Sequence, residues 1–232
     1  MMFVKNNFDV IITSNIEYTK TEKAIESNIF VRWVNNLKKN FDLKSIIIHN
    51  VFMFGKRVGF IVAEADVYFN DKKVPGIAFL RGDAVSIMPV LECENKLYTV
   101  VVTEPRVPIA NPEQTGFPCG MIDDDAVHVA ALKELSEEVG SEFDISPSDL
   151  LDLGKFSLSS GGCDEYMNLK VFVKNVDKSL LDKLHNRINI SEKENEQIKV
   201  SVIELSEVEN ITNIDARSML SKLLWDKKYE SK

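Results

Sequence analysis

The stretch Gly120–Gly140, GMIDDDAVHVAALKELSEEVG, sets three consecutive aspartates before a helix-like run that carries Glu134, Glu137 and Glu138. On a helix, residues three and four apart are neighbours, and each like-charge pair there costs on the order of 0.2–0.5 kcal/mol. At about 100° per residue, Glu137 and Glu138 fall within about 60° of Glu134, one on either side. Leu132, Leu135 and Val139 point the other way, with His128 on their stripe, where a histidine reads as packed core rather than as a catalyst. Gly140 suits the C′ position that ends a helix. The pattern predicts an amphipathic helix with one apolar stripe and one carboxylate stripe.

A solvated acidic face accounts for such a stripe by itself. Three neighbouring features turn it toward chemistry. A Pro-Cys-Gly turn, residues 118–120, precedes the helix and can aim backbone carbonyls at an ion. A second acidic cluster, EKENE, follows at residues 192–196, and Arg106 sits in the segment before the turn. Clustered carboxylates with a backbone oxygen are hard donors suited to Mg²⁺ or Mn²⁺. Such an ion would relieve the repulsion and bind phosphate at once.

Composition bounds the partners. The chain has 232 residues, 28 Lys and Arg against 36 Asp and Glu, and a net charge of −8. An acidic surface argues against non-specific nucleic-acid binding, and leaves anionic substrates open if a metal bridges the like charges. Cys93, Cys119 and Cys163 are odd in number and form no CxxC pair, so reduced thiols are expected rather than a zinc site or a disulfide framework. His49, His128 and His185 make no paired ligand motif. No apolar run has the length of a membrane span, and the first residues, MMFVKNNFDVIITSN, lack the apolar segment of a signal peptide. A cytoplasmic protein is the expectation, with no membrane partner.

Along the chain, Ile25, Ile29, Phe30, Trp33, Val34 and Leu37 fit one face of a helix over residues 24–40. KSIIIHNV, VGFIVAEADVYFN and VPGIAFLRG read as strands, with a turn at Asn70-Asp71. Residues 1–82 are therefore expected to form a helix plus an antiparallel sheet unit, and residues 83–232 a second domain. In the latter, AVSIMPVLE and KLYTVVVTE read as buried strands, and EPRVPIANPEQTGFPCG as a surface loop. MNLKVFV and IKVSVIEL are further strands, and DKSLLDKLHNR a short helix or turn. The last helix is amphipathic through Met219, Leu220, Leu223 and Leu224, with Asp215 as its N-cap.

Residues 118–140 resemble the Nudix box, whose usual pattern is G-x5-E-x7-R-E-U-x-E-E-x-G-U with U a bulky apolar residue, and Lys133–Gly140, KELSEEVG, matches its second half. The likeness extends from about Ala24 to Trp225 and takes in VFMFGKRVGF, KKVPGIAFLRGDAV, SSGGCDEYMNL, ENEQIKV and NIDARSML. It is to the branch of Nudix hydrolases that splits ADP-sugars, UDP-sugars and ADP-ribose, the plant-type ADP-sugar diphosphatases in particular. The resemblance implies an α+β Nudix fold, a mixed sheet sandwiched between helices. It also implies a homodimer paired through the N-terminal unit.

By the same resemblance, Glu134 and Glu138 hold the metal with Glu137 assisting, and the backbone carbonyl of Cys119 is a further ligand. The general base falls in Glu194-Asn195-Glu196, with Glu196 the first choice and Glu194 the second. Arg106 resembles the arginine that contacts the diphosphate, Arg81 one that lines the nucleotide pocket, and Glu165 a glutamate that shapes the site. An arginine's planar fork suits phosphate oxygens. The implied reaction is Mg²⁺- or Mn²⁺-assisted hydrolysis of a nucleoside diphosphate sugar to a nucleoside monophosphate and a sugar phosphate.

Three positions depart from the pattern. The box is one residue short, with Ala126 near the place of its early glutamate; its arginine is Lys133; and a glutamate expected before the Pro-Cys-Gly turn is Gly116. These changes keep a second reading in play, a degenerate Nudix module that binds a nucleotide or a protein partner without turnover. A Nudix enzyme acting on another diphosphate, such as a dinucleotide or coenzyme A, is a third.

Overall fold

The computed structural model describes residues 2–4, 7–122, 126–191 and 196–230. The chain divides into two units, Met1–Asp83 with Ser157–Tyr166, and Ala84–Phe156 with Met167–Lys232. The short segment before Met167 thus belongs with the first unit, apart from the sequence that flanks it.

The first unit runs β1 (Met2–Val4), β2 (Ile11–Ser14), α1 (Tyr18–Glu26), α2 (Asn28–Asn40), β3 (Asp42–Phe54), β4 (Arg57–Phe69), β5 (Lys72–Val74) and β6 (Ile77–Leu80). The single helix expected over residues 24–40 is broken at Ser27. Ser27 is extended (ψ 142°) and its Oγ accepts from Phe30 N at 3.3 Å, so it caps a second helix. The sheet is not wholly antiparallel either, because β2 lies parallel to β3. Alternation along β3 and β4 separates its faces. Ile46, Ile48, Val51, Ile61, Ala63 and Val67 are buried with Phe30 and Val34 of α2. The other face carries Phe52 opposite Phe60, Val62 opposite Phe79 and Glu64 opposite Ile77.

Asp164 ties the segment 157–166 to this unit. Its Oδ1 accepts from the backbone N–H of Arg81 (2.7 Å) and Gly82 (3.2 Å), and its Oδ2 from Arg32 (2.9 Å). Arg32 also reaches Asp83 at 2.8 Å. One nearly buried carboxylate therefore satisfies two backbone donors and a guanidinium.

The second unit holds β7 (Ala84–Cys93), β8 (Lys96–Arg106), β9 (Asn111–Gly116), β10 (Cys119–Met121), α3 (Val127–Glu138), β11 (Leu151–Ser157), β12 (Tyr166–Asn175), α4 (Lys178–Leu184), β13 (Ile188–Ser191), β14 (Glu196–Glu204) and α5 (Ala216–Trp225). Its sheet has the order β11-β12-β7-β8-β14-β13, with β10 on β7 and β9 on β8. β12 is parallel to β7 and β8 antiparallel to it, so the sheet is mixed. β7 is central and buried along almost its whole length, which its run of apolar residues allows.

The Pro- and Gly-rich stretch expected as a loop is a hairpin instead. β8 continues to Arg106, a 3₁₀ turn spans Val107–Ile109, Ala110 takes a left-handed conformation (φ 51°), and β9 returns. β9 ladders with β8 and bridges Ile214 at Thr115, and Pro112 falls at the irregularity between the Glu104–Gln114 and Arg106–Asn111 pairs, where no ladder donor is called for. α3 buries Ala130, Ala131, Leu135 and Val139 among Ile87, Val100 and Phe172. The buried face of α5 is also not the one expected. It is Ser218, Ser221, Lys222 and Trp225, while Leu223 is exposed and Leu220 and Leu224 pack against Cys119 and Met167. No described helix is long and apolar enough to cross a membrane.

Asp164→Ala should leave two backbone donors and Arg32 short of an acceptor, at about 1–3 kcal/mol for each buried group left unmet. Calorimetry should show Tm lowered by several degrees, at about 2–4 °C per kcal/mol for a chain of this size. Lys44→Ala, which removes an exposed pair with Asp42, should change it little.

Candidate active site

Everything at this site lies in the second unit. Cys119 opens β10, pairs with Ser86 of β7, and donates its N–H to Glu138 Oε2 at 3.2 Å. Glu138 is the last residue of α3 and is buried. Burial pushes its carboxyl well above the usual carboxylate range, and the charges of Glu104 and Glu134 push it further, against the Cys119 N–H and Arg106. Glu134, one turn earlier, lies over the backbone at Gly120. A Cβ on that glycine would stand 1.8 Å from the Glu134 carboxyl carbon, so any larger residue there would push the Glu134 carboxylate from this place.

The carboxylate stripe thus splits. Glu138 turns inward, Glu134 is half-buried, and Glu137 is exposed and stands apart from the buried set. Lys133, in the place of the box arginine, is also exposed. His128 is half-buried and within 3.3 Å of Lys170 Nζ, a buried ammonium that also pairs with Asp152. It takes no part in the carboxylate group.

Glu104 and Arg106 reach the site from the end of β8 and form an ion pair. Burial raises the Glu104 carboxyl, while Arg106 and Arg217 lower it and Asp215 raises it. Arg217 and Asp215 come from the start of α5. Asp215 caps that helix, its Oδ1 accepting from Ser218 N at 2.7 Å, as the sequence predicts. Its Oδ2 pairs with Arg217 Nε at 2.7 Å, and Arg217 Nη1 donates to Cys119 Sγ at 3.0 Å. Burial pushes the Cys119 thiol up to about 12, against the pull of Arg217, so it stays a neutral thiol at ordinary pH.

Of the residues singled out in the sequence, Cys119, Glu134, Glu138 and Arg106 are gathered here. Arg81 and Glu165 face one another in the first unit, with Arg81 Nε 3.6 Å from Glu165 Oε1. Glu194 and the side chain of Glu196 lie outside the described residues; the backbone of Glu196 begins β14. Glu104 and Arg217 were missed. Their signal was slight: both lie in segments, TEPR and NIDARSML, notable for other residues.

Among the described residues no group of three or more His, Cys, Asp or Glu side chains is placed to hold a metal ion by itself. The donors nonetheless suit a hard divalent cation. Glu104 and Glu134 raise the cost of ionising Glu138 in its buried place, a cost that a bound cation would offset. An ion that keeps several waters needs only one or two carboxylates and no closed cage.

A turn-and-helix unit with an inward glutamate, set on a mixed sheet, is the frame in which the comparisons fall. The NUDIX domain family matches residues 80–223, more than half of the chain. The chain is 32% identical over 235 residues to "Nudix hydrolase 14, chloroplastic" of Arabidopsis thaliana, covering 92% of this chain and 75% of that protein. A crystal structure of an ADP compounds hydrolase superposes with a TM-score of 0.53 at 18% identity, covering 83% of this chain and 95% of that one. That last likeness is one of fold. The chain belongs to the Nudix hydrolase family. The expected α+β Nudix fold stands, and a divalent metal is the cofactor that membership implies.

The raised carboxyl of Glu138 fixes a pH dependence for the metal-free protein. The folded state holds this proton above the pH at which the unfolded chain releases it. Its contribution to stability is therefore complete below the unfolded carboxylate value of about 4.3 and is lost as pH rises through the folded value. Melting in chelator should show that decline in the wild type and a flatter profile in Glu138→Gln.

Proposed function

We propose that this protein hydrolyses the diphosphate bond of nucleoside diphosphate sugars, an ADP-sugar, a UDP-sugar or ADP-ribose, with Mg²⁺ or Mn²⁺. The observation that carries this reading is the buried Glu138, hydrogen-bonded to the Pro-Cys-Gly turn and crowded by two more carboxylates, with Arg106 beside them. Glu134, Glu138 and the Cys119 carbonyl would hold the metal, with Glu104 at hand as a further carboxylate. When bound, the ion neutralises diphosphate oxygens and so lowers the barrier to attack by an anionic or polarised nucleophile. Arg106, now paired with Glu104, exchanges that carboxylate for a phosphate oxygen of the substrate. Glu196 accepts the proton of the attacking water. The new P–O bond forms as the bridging P–O bond breaks, and the products are a nucleoside monophosphate and a sugar phosphate.

We also assign the open face of the first unit's sheet to a second copy of the chain. Phe52, Phe54, Ile77 and Phe79 are exposed there, with Ile77 68% accessible; Phe54 meets Phe60 edge to face with ring centres 5.0 Å apart, and Phe60 meets Phe79 at a tilt, 4.8 Å apart. Contiguous apolar surface of this kind marks an interaction site.

A panel of ADP-sugars, UDP-sugars and ADP-ribose with Mg²⁺ or Mn²⁺ should release a nucleoside monophosphate from at least one. Glu138→Gln and Glu196→Gln should each lower kcat by about 10²-fold or more. No product from any member of the panel would refute the reading.

Light scattering should give twice the chain mass for the wild type. Ile77→Asp, which puts a charge on the apolar face, should give the monomer mass with its fold retained.

A further inference from the structure

We propose that Arg217 is a positioning residue for the carboxylate cradle, acting through Cys119, and that Asp215 holds Arg217 in place for it. The proposal rests on the reading of that cradle as a divalent-cation site. The Arg217 guanidinium is forked, Nε to Asp215 Oδ2 at 2.7 Å and Nη1 to Cys119 Sγ at 3.0 Å, and its side chain is 18% exposed. Cys119 in turn donates its N–H to Glu138 Oε2 and sits in the ladder opposite Ser86. Cys119, whose carbonyl is to face the cation, is thus held on three sides: by the β7 ladder, by a carboxylate at its N–H and by the guanidinium at its thiol. Groups that orient a ligand in this way matter nearly as much as the ligand.

Docking of α5 does not explain the fork. Asp215 already caps the helix through Oδ1, Ser218 Oγ accepts from Phe117 N at 2.7 Å, and Asp215 N donates to Thr115 O at 2.9 Å. The helix is secured without Arg217. Its start also fills the space above Gly116, where a Cβ would stand 2.4 Å from Asp215 Oδ2. A side chain at residue 116 would have to displace the Asp215 carboxylate that holds Arg217.

The test uses the full chain in three forms, wild type, Arg217→Met and Asp215→Asn, the last keeping a residue that caps helices well. Electron paramagnetic resonance reads Mn²⁺ affinity without nucleotide; kinetics on the best substrate of the panel read kcat and KM; calorimetry in chelator reads Tm. Arg217→Met should weaken Mn²⁺ binding by about 10-fold to 100-fold and lower kcat in step, with KM for the nucleotide sugar little changed. Asp215→Asn should weaken it in the same direction, and the double variant should be no worse than Arg217→Met, because the two act as one unit. Wild-type Mn²⁺ affinity in both single variants, with at most a lowered Tm, overturns the proposal and leaves Arg217 a docking residue. If Arg217→Met does not fold, Asp215→Asn decides alone. A wild type that binds no Mn²⁺ overturns the cation reading itself, and this proposal with it. A wild type that binds Mn²⁺ while the variants match it overturns only the proposal.

Discussion

The second unit is organised around the cost of burying one carboxylate. Glu138 ends a helix in a place that disfavours its charge, and two further glutamates approach it. An isolated buried anion would be expensive enough to neutralise itself or to distort the fold. The protein meets that cost with a backbone donor at Cys119, with the Arg106 guanidinium, and with a neighbourhood that favours a multivalent cation. Each of those contributions demands a fixed backbone, which is why three strands and two helices converge on one short turn.

The supporting elements are ordered by what they must hold. β7 and β10 fix the turn, since Ile87 N binds Pro118 O at 2.9 Å alongside the Cys119–Ser86 pair. The C-terminus of α3 is held from the far side, where Asn189 Nδ2 donates to the Glu138 carbonyl at 2.5 Å. Arg187 pairs with Glu142 just beyond, at 2.7 Å. β13 is thereby joined to the helix that bears the glutamates. Local opening of such a network is costly because each member has a partner elsewhere in the fold.

The helix of the Nudix box was legible because its apolar residues keep the helical period and its glutamates keep a spacing. The inward turn of Glu138 was not. A helical wheel places Glu134, Glu137 and Glu138 within one arc, and only the packing against β10 decides which of them leaves water. The break at Ser27 was within reach, for a Ser-Asn pair inside an apolar period is a capping signal, but a continuous face from Ile25 to Leu37 hid it. The hairpin through Pro105 and Pro112 read as a loop because prolines argue against strands, and the irregularity in the β8–β9 ladder is the exception. α5 read as amphipathic through its leucines, whereas Lys222 is buried by pairing with Asp226 at 2.5 Å, a contact between neighbouring turns that hydrophobicity does not register. Arg217 and Glu104 carry only a slight local signal, since their meaning comes from elements far apart in the chain.

The return of residues 157–166 to the first unit has a bearing on modularity. A polypeptide ending at residue 83 would contain every helix and strand of that unit and still lack Asp164. Arg32 would lose one of its two counter-ions, and the amides of Arg81 and Gly82 would have to find water. The two units are therefore interlaced in covalent order, and recombination at a single crossover point could not exchange either of them intact. Lineages that reshuffle domains as linear cassettes would have to inherit both together.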